Sequence, residues 1–224
     1  MTRSPHSSRA SAQTRPRLTA LTAAILAGLM PLAGAQTASL PVLPVLPKGG
    51  SVSAGQATIV APNGNRLDIQ QNSQRAVLRW DAFSIGAGGV VNFNQPNGQA
   101  ATLNVVTGPL GSEIAGTLKA NGSVFLINPQ GIAITATGLV DTRAGFVAST
   151  LGLSDDDFMA GRLRFNGRGA NVLNQGRIVT GEGGQVALLG GRVENDGLIL
   201  APLGKVALGS ASAATLDFSG DGFL

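Results

Sequence analysis

Apolar residues in this chain come in short bursts set off by glycine and asparagine. Asn121-Gly-Ser-Val-Phe-Leu-Ile127, Gly184-Gln-Val-Ala-Leu-Leu189 and Gly204-Lys-Val-Ala-Leu-Gly209 each place an apolar run behind a glycine or an Asn-Gly pair. Upstream of each lies a second shared element: Gly116-Thr-Leu118, Gly176-Arg-Ile178 and Gly197-Leu-Ile199. The second element recurs most fully at Asn174 and Asn195, and the first at Val186 and Val206. Both recurrences give a period of about 20 residues, and such a period of strand-length runs and glycine turns is the signature of a solenoid. One turn buries too few side chains to offset the entropy of ordering its backbone, so turns must stack to be stable. Val186 and Leu188 are expected to stack on Val206 and Leu208 in the neighbouring turn. The absence of long helical periodicity disfavours helical and leucine-rich repeats and favours an all-β fold, a parallel β-helix.

Other segments fit that reading. Ala57-Thr-Ile-Val60 and Arg66-Leu-Asp-Ile69 flank Pro62-Asn-Gly-Asn65 and predict a hairpin. Arg75 to Trp80 and Val90 to Phe93 read as strands. The one helical candidate is Ser154-Asp-Asp-Asp-Phe-Met-Ala-Gly161, with Ser154 as N-cap and acids in the first turn. A stack exposes strand edges at both ends. Trp80, Phe83 and Phe93 sit in the first half and are expected to pack an N-terminal β cap and the upper core. The far end shows no cap, and Ala214-Thr-Leu-Asp-Phe218 reads as a new strand-like run, the front of a longer solenoid.

Residues 1–35 read as a secretory signal peptide. Arg3, Arg9, Arg15 and Arg17 precede an uncharged apolar run from Leu18 to Leu32, and Ala33-Gly-Ala35 is a small-x-small cleavage site. Residues 36–50 form a lead-in with proline at every third position from Pro41 to Pro47, which favours extended chain. Residues 51–218 are the predicted β-helix, and 219–224 the start of a continuation. The chain has 16 basic and 12 acidic residues; the leader holds four of the basic ones, so residues 36–224 carry 12 of each. The basic pI belongs to the leader, and no electrostatic case for nucleic acid remains. The single histidine, His6, also lies in the leader, and the chain has no Cys and no Tyr. Zinc sites of the usual ligands, thiol nucleophiles and histidine general bases are thereby excluded from residues 36–224, and nothing points to a cofactor.

Several blocks, in order, carry a family likeness. Arg79-Trp-Asp-Ala-Phe-Ser-Ile-Gly-Ala-Gly-Gly-Val-Val-Asn-Phe-Asn-Gln-Pro96, Val124-Phe-Leu-Ile-Asn-Pro-Gln-Gly-Ile132, Gly145-Phe-Val-Ala-Ser-Thr-Leu151 and the Asn-Gln-Gly-Arg-Ile repeats resemble the N-terminal secretion domain of filamentous-haemagglutinin-type proteins, over about Gly49 to Phe218. The resemblance implies a right-handed parallel β-helix with an N-terminal cap, and export by two-partner secretion. In that route the Sec machinery delivers the chain to the periplasm. An outer-membrane transporter barrel then recognises the secretion domain through periplasmic modules and passes the chain to the cell surface. Passengers of such domains include adhesins, haemagglutinins, haem-acquisition proteins, cytolysins and contact-dependent toxins.

The family's motif Asn-Pro-Asn-Gly-Ile reads here Asn128-Pro129-Gln130-Gly131-Ile132. Asn first, Pro second and Gly fourth suit a type I turn, and Pro129 pre-sets its own φ before the solenoid forms. These five residues are the candidate transporter-recognition turn; Gln130 stands where the family has the shorter amide. Alanine at Asn128 and Gly131 is expected to reduce secretion and to leave stability nearly intact. Asn121-Gly-Ser123 is a glycosylation sequon that a tight Asn-Gly turn also explains. Asp155 to Asp157 read as a solvated helix start, offset by Arg162, Arg164 and Arg168. Two rival functions stay open. A polysaccharide-active β-helix enzyme needs stacked carboxylates, whereas the 12 acids are scattered. A self-contained ligand-binding adhesin needs a capped C-terminal end. A calcium-binding β-roll would need tandem Gly-Gly-x-Gly-x-Asp repeats, which are absent.

Overall fold

The computed structural model describes residues 46–217. The expected signal peptide (residues 1–35), residues 36–45 of the expected lead-in, and residues 218–224 lie outside the described residues. The chain opens with β1 (Ser51–Ala54), β2 (Ala57–Ile59), β3 (Arg66–Gln71), β4 (Arg75–Trp80), β5 (Val90–Asn94) and β6 (Ala101–Val106). A three-strand unit then repeats: β7 (Ser112–Ile114), β8 (Thr117–Ala120), β9 (Ser123–Ile127), followed by β10 (Ile132–Ile134), β11 (Leu139–Thr142), β12 (Gly145–Ser149). An excursion, α1 (Asp155–Met159) and β13 (Leu163–Asn166), precedes the next unit, β14 (Asn171–Asn174), β15 (Arg177–Thr180), β16 (Gln185–Gly190). The last unit is β17 (Arg192–Asn195), β18 (Leu198–Leu200), β19 (Lys205–Ser210), and β20 (Ala213–Leu216) follows it.

Each unit contributes one strand to each of three stacked sheets. The first runs β1-β4-β6-β9-β12-β16-β19, the second β2-β3-β5-β8-β11-β15-β18, and a four-stranded third β7-β10-β14-β17. All strand pairs between units are parallel. The fold is the parallel β-helix expected from the repeat. Stacking is residue on residue. Val124, Phe146, Val186 and Val206 form one ladder, and Leu126, Ala148, Leu188 and Leu208 the next but one. Glycine marks one corner throughout. Gly116, Gly138, Gly176 and Gly197 stack there, and a Cβ on Gly138 would lie 2.1 Å from the Ile114 carbonyl oxygen. The recurrent Gly-x-aliphatic element is therefore a close approach of successive backbones, and Gly138-Leu-Val140 is a further instance of it.

The two ends differ. At the start, β1 pairs antiparallel with β4, and β2 with β3 in the expected hairpin. Leu46 is buried and Lys48 bridges Ala82, so the tail of the lead-in belongs to this closure. At the far end nothing among the described residues covers the last unit. Val206 and Leu208 are 47% and 48% exposed, whereas their partners Val186 and Leu188 are 0% exposed.

A second core lies on the outside of the first sheet. Val77, Leu103, Phe125, Val147, Ala187 and Ala207 stack there in register. The excursion between β12 and β14 covers them with Leu153, Phe158, Leu163 and Phe165, joined by Leu216. The Phe125 and Phe158 rings meet edge-on at 5.3 Å. Arg75 lies over Phe158, 5.2 Å from its centroid. The Asp155 carboxylate accepts from Arg79 Nη2 at 2.8 Å and from Ser53 Oγ at 2.9 Å. This strap thus reaches from β1 and β4 to β19. The spacing of partnered residues announces it: Phe146 and Val186 are stacked neighbours, yet they lie twice as far apart in sequence as Val186 and Val206. The helix forms where Ser154 is expected to cap it, its hydroxyl accepting from the Asp157 N–H. The strand-like run after β19 also forms, as β20. It is not a new rung: it lies antiparallel on β13, with Leu216 opposite Leu163.

Leu188 and Leu208 provide a test of stacking at constant chemistry. Leu188→Ala removes a side chain enclosed on both sides and should cost about 2–5 kcal/mol. Leu208→Ala, at the uncovered end, should cost less than half of that in the same denaturant titration. Equal losses would contradict the one-sided packing of the last unit.

Candidate functional site

The Asn128–Ile132 segment is the corner between β9 and β10. The Gly131 N–H donates to the Asn128 carbonyl at 3.1 Å, closing a β-turn, and the Gln130 N–H donates to Asn128 Oδ1 at 3.0 Å. The Asn128 amide nitrogen donates to the Leu110 carbonyl at 3.0 Å and to Ser112 Oγ at 2.9 Å. Its backbone N–H reaches the Ser149 carbonyl in the next unit at 3.0 Å. Asn128 is fully buried, and all its polar groups are used. Ile132 is buried as well, while Pro129 and Gln130 are exposed. Gly131 has φ +122°, a region that favours glycine. The corner therefore divides in two: Asn128, Gly131 and Ile132 anchor it between three successive units, and Pro129 and Gln130 face outward. This overturns the expectation that alanine at Asn128 and Gly131 leaves stability nearly intact. That change would strip hydrogen bonds from the part-buried Leu110 carbonyl and the buried Ser112 hydroxyl and strain the backbone at Gly131.

Trp80, Phe83 and Phe93 are each 1% exposed and lie in the interior core. Trp80 meets Phe83 edge-on at 5.5 Å and donates through Nε1 to Asn104 Oδ1 at 3.0 Å. Phe93 stands between Ile69 and Ala120 in the second sheet.

Sequence reasoning missed a buried polar cluster beneath the cap. Gln95 Nε2 donates to Thr102 Oγ1 and to the Ser123 carbonyl, both at 2.9 Å. Gln95 Oε1 accepts from the Gly122 N–H at 2.7 Å, and Gln71 Nε2 donates to the Ala101 carbonyl at 3.2 Å. Asn121, of the sequon, exchanges two 2.7 Å hydrogen bonds with the Gln95 backbone through its side-chain amide. In the folded domain its Nδ2 is thus held in a rung-to-rung contact. No single-residue pattern signals such a cluster, since Gln and Thr on a strand ordinarily face water.

Of the acids at the helix start, Asp155 and Asp157 are engaged structurally, and Asp156 is exposed as expected of a solvated helix start. Asp157 accepts from Arg162 Nε at 2.6 Å. That hydrogen bond, with help from Ser154 and the Arg162 and Arg164 charges, holds its carboxyl below the usual carboxylate range. Asp68 is likewise lowered, by hydrogen bonds from Arg66 and Asn92. Among the described residues no three of His, Cys, Asp and Glu gather as metal ligands.

A family model for the TPS secretion domain matches residues 44–221. The chain belongs to the two-partner secretion domains. Among curated proteins, this TPS domain is 35% identical over 192 residues to a Heme/hemopexin-binding protein of Haemophilus influenzae strain Rd, covering 78% of this chain and 20% of that protein. A second Heme/hemopexin-binding protein of Haemophilus influenzae is 37% identical over 107 residues, 48% of this chain and 11% of that protein. The chain therefore spans a fifth or less of these relatives. Among solved structures it superposes on the HMW1 secretion domain from Haemophilus influenzae with TM-score 0.71 and 34% identity, over 76% of this chain and 46% of that one. The relatives are named for secretion and for haem and hemopexin binding, not for catalysis. A TPS domain is the secretion domain of an exported protein, and its partner is an outer-membrane transporter.

The divided corner generates a stability test. Asn128→Ala should cost about 1–3 kcal/mol, the range for stranding buried hydrogen-bonding groups. Gln130→Ala, on the exposed side, should fall within about 0.5 kcal/mol of the parent. Denaturant melts of the purified domain measure both, and a neutral Asn128→Ala would refute the anchoring role.

Proposed function

We propose that the Asn128–Ile132 corner is the feature of this TPS domain that its outer-membrane transporter reads, through periplasmic modules, before the domain folds outside the cell. The division of the corner supports this: Pro129 and Gln130 are held outward while their neighbours are fixed inside. Pro129 restricts φ in the unfolded chain too, so part of the turn is specified locally, before any rung has stacked. A transporter meeting extended chain needs a recognition element of that kind. Residues 1–35 act as the signal peptide that brings the chain to the periplasm through the Sec machinery, and the chain crosses the outer membrane unfolded. Each rung that stacks outside releases free energy and opposes backsliding, so outward movement needs no nucleotide hydrolysis at the outer membrane. Chains without cysteine suit this route, because no disulfide can lock a folded form in an oxidising compartment.

The longer exported protein is read as a surface adhesin or haemagglutinin-like passenger. Its likeness to Heme/hemopexin-binding proteins favours a second reading, capture of haem or of hemopexin at the surface. Residues 36–224 hold no His, Cys or Tyr, so haem ligation of the usual kinds is not supplied by this segment.

Export tests the recognition proposal directly. In cells carrying the cognate transporter, P129A/Q130A should lower the secreted protein at least about tenfold, equivalent to about 1.4 kcal/mol of lost recognition. The purified variant should melt with the parent. Undiminished export would remove the corner from recognition.

A further inference from the structure

β20 occupies a place that its position in the repeat does not assign to it. In the four-stranded sheet, β14 and β17 pair in register, with Asn171 on Arg192 and Asn174 on Asn195. One further step of the same length from Arg192–Asn195 falls on Ala213–Leu216, which is β20. By chain position β20 is the next strand of that sheet, with Ala214 due over Val193 and Leu216 due over Asn195. The chain keeps to the stack up to this point, since the Ala211 N–H donates to the Gly190 carbonyl at 3.0 Å. It then turns away. β20 runs antiparallel to β13, pairing Ala214 with Phe165 and Leu216 with Leu163, and the Gly167 N–H reaches the Ser212 carbonyl at 2.9 Å.

The same two side chains serve both places. Ala214 and Leu216 would face the interior of a further rung, and they are the ones now packed into the outer core. The edge of β17 that a further rung would use is guarded, not sealed: its Val193 N–H donates to Ser210 Oγ at 3.1 Å, a side-chain stand-in for a strand partner. The end rung beside it is the one left half-exposed at Val206 and Leu208.

We infer that Ala213–Leu216 is an exchangeable strand with two seats: the outer seat on β13, which closes the strap while the solenoid end is bare, and a rung seat beside β17. In the outer seat it locks the strap across the first sheet. In the rung seat it displaces Ser210 Oγ from the Val193 N–H and begins the next unit, so that lengthening the solenoid unlocks the strap. The inference concerns the fold of this domain and is independent of how the transporter recognises it.

Thr215 lies in both seats, opposite Arg164 in the outer one and due beside Glu194 in the other. Arg164 and Thr215 line one surface groove, whereas Glu194 lines a different one with Gln130 and Leu173. The chain has no cysteine of its own, so engineered pairs report cleanly. In the otherwise unaltered residues 36–224, R164C/T215C, E194C/T215C and a remote control, K119C/T215C, are oxidised with glutathione and the disulfide yield is followed in time. The expected result is rapid closure of R164C/T215C, with E194C/T215C slower than that pair yet at least about tenfold faster than the control, as trapping from a minor state requires. Closure of E194C/T215C no faster than the control, while R164C/T215C closes, would overturn the inference. Failure of R164C/T215C to close would overturn it equally, by removing the outer seat.

Discussion

The whole molecule depends on in-register stacking of rungs that have no interior of their own. Val186 is buried because Phe146 lies on one side and Val206 on the other; Val206 has only one such neighbour and is half-exposed. The same residue type at the same place in the repeat is thus core or surface according to whether a further rung exists. Backbone contact is equally mutual. The glycine column from Gly116 to Gly197 lets successive corners come within reach of each other's carbonyls, where any Cβ would collide.

Two devices turn a stack, which has no natural length, into a defined domain. At the start, antiparallel β1 and β2 and the tail of the lead-in occupy the edges of β4 and β3. Along one side, the strap ties Ser53 and Arg79 near the first rung to the helix at Asp155, and continues to Leu216 beyond the last. Between them the Gln71, Gln95 and Thr102 cluster fixes the register of the upper rungs, because a shift by one residue would leave its buried amides without partners. Ser53 and Asp155 stand 102 residues apart in sequence, so their contact ties the first strands to a helix that follows several intervening rungs.

Much of this is legible in the sequence, and for a physical reason. The short regular repeat, glycine at corners and alternating aliphatics record the stacking directly, so the β-helix, the 57–69 hairpin and the Ser154-capped helix can be read from residues alone. The Asn128–Ile132 corner is legible as a turn, since Asn128, Pro129 and Gly131 specify one locally. Its burial is not, because the partners of Asn128 at Leu110, Ser112 and Ser149 come from neighbouring rungs. The outer core is hidden for a similar reason: Phe158 and Phe165 read as ordinary apolar residues until the doubled step from Phe146 to Val186 shows that their segment lies outside the repeat. β20 reads as a further rung because local pattern and period agree on it, whereas its antiparallel pairing with β13 places it on the outer core.

Native-state hydrogen exchange of the folded domain tests the stacking account most directly, because it reads the opening free energy of each strand separately. If rungs are stabilised by their neighbours, amides of β9 and β12 exchange only through global unfolding, β16 is close to them, and β18 and β19 open at a fraction of that free energy. Protection of β19 equal to that of β12, or uniform weak protection throughout, would contradict it.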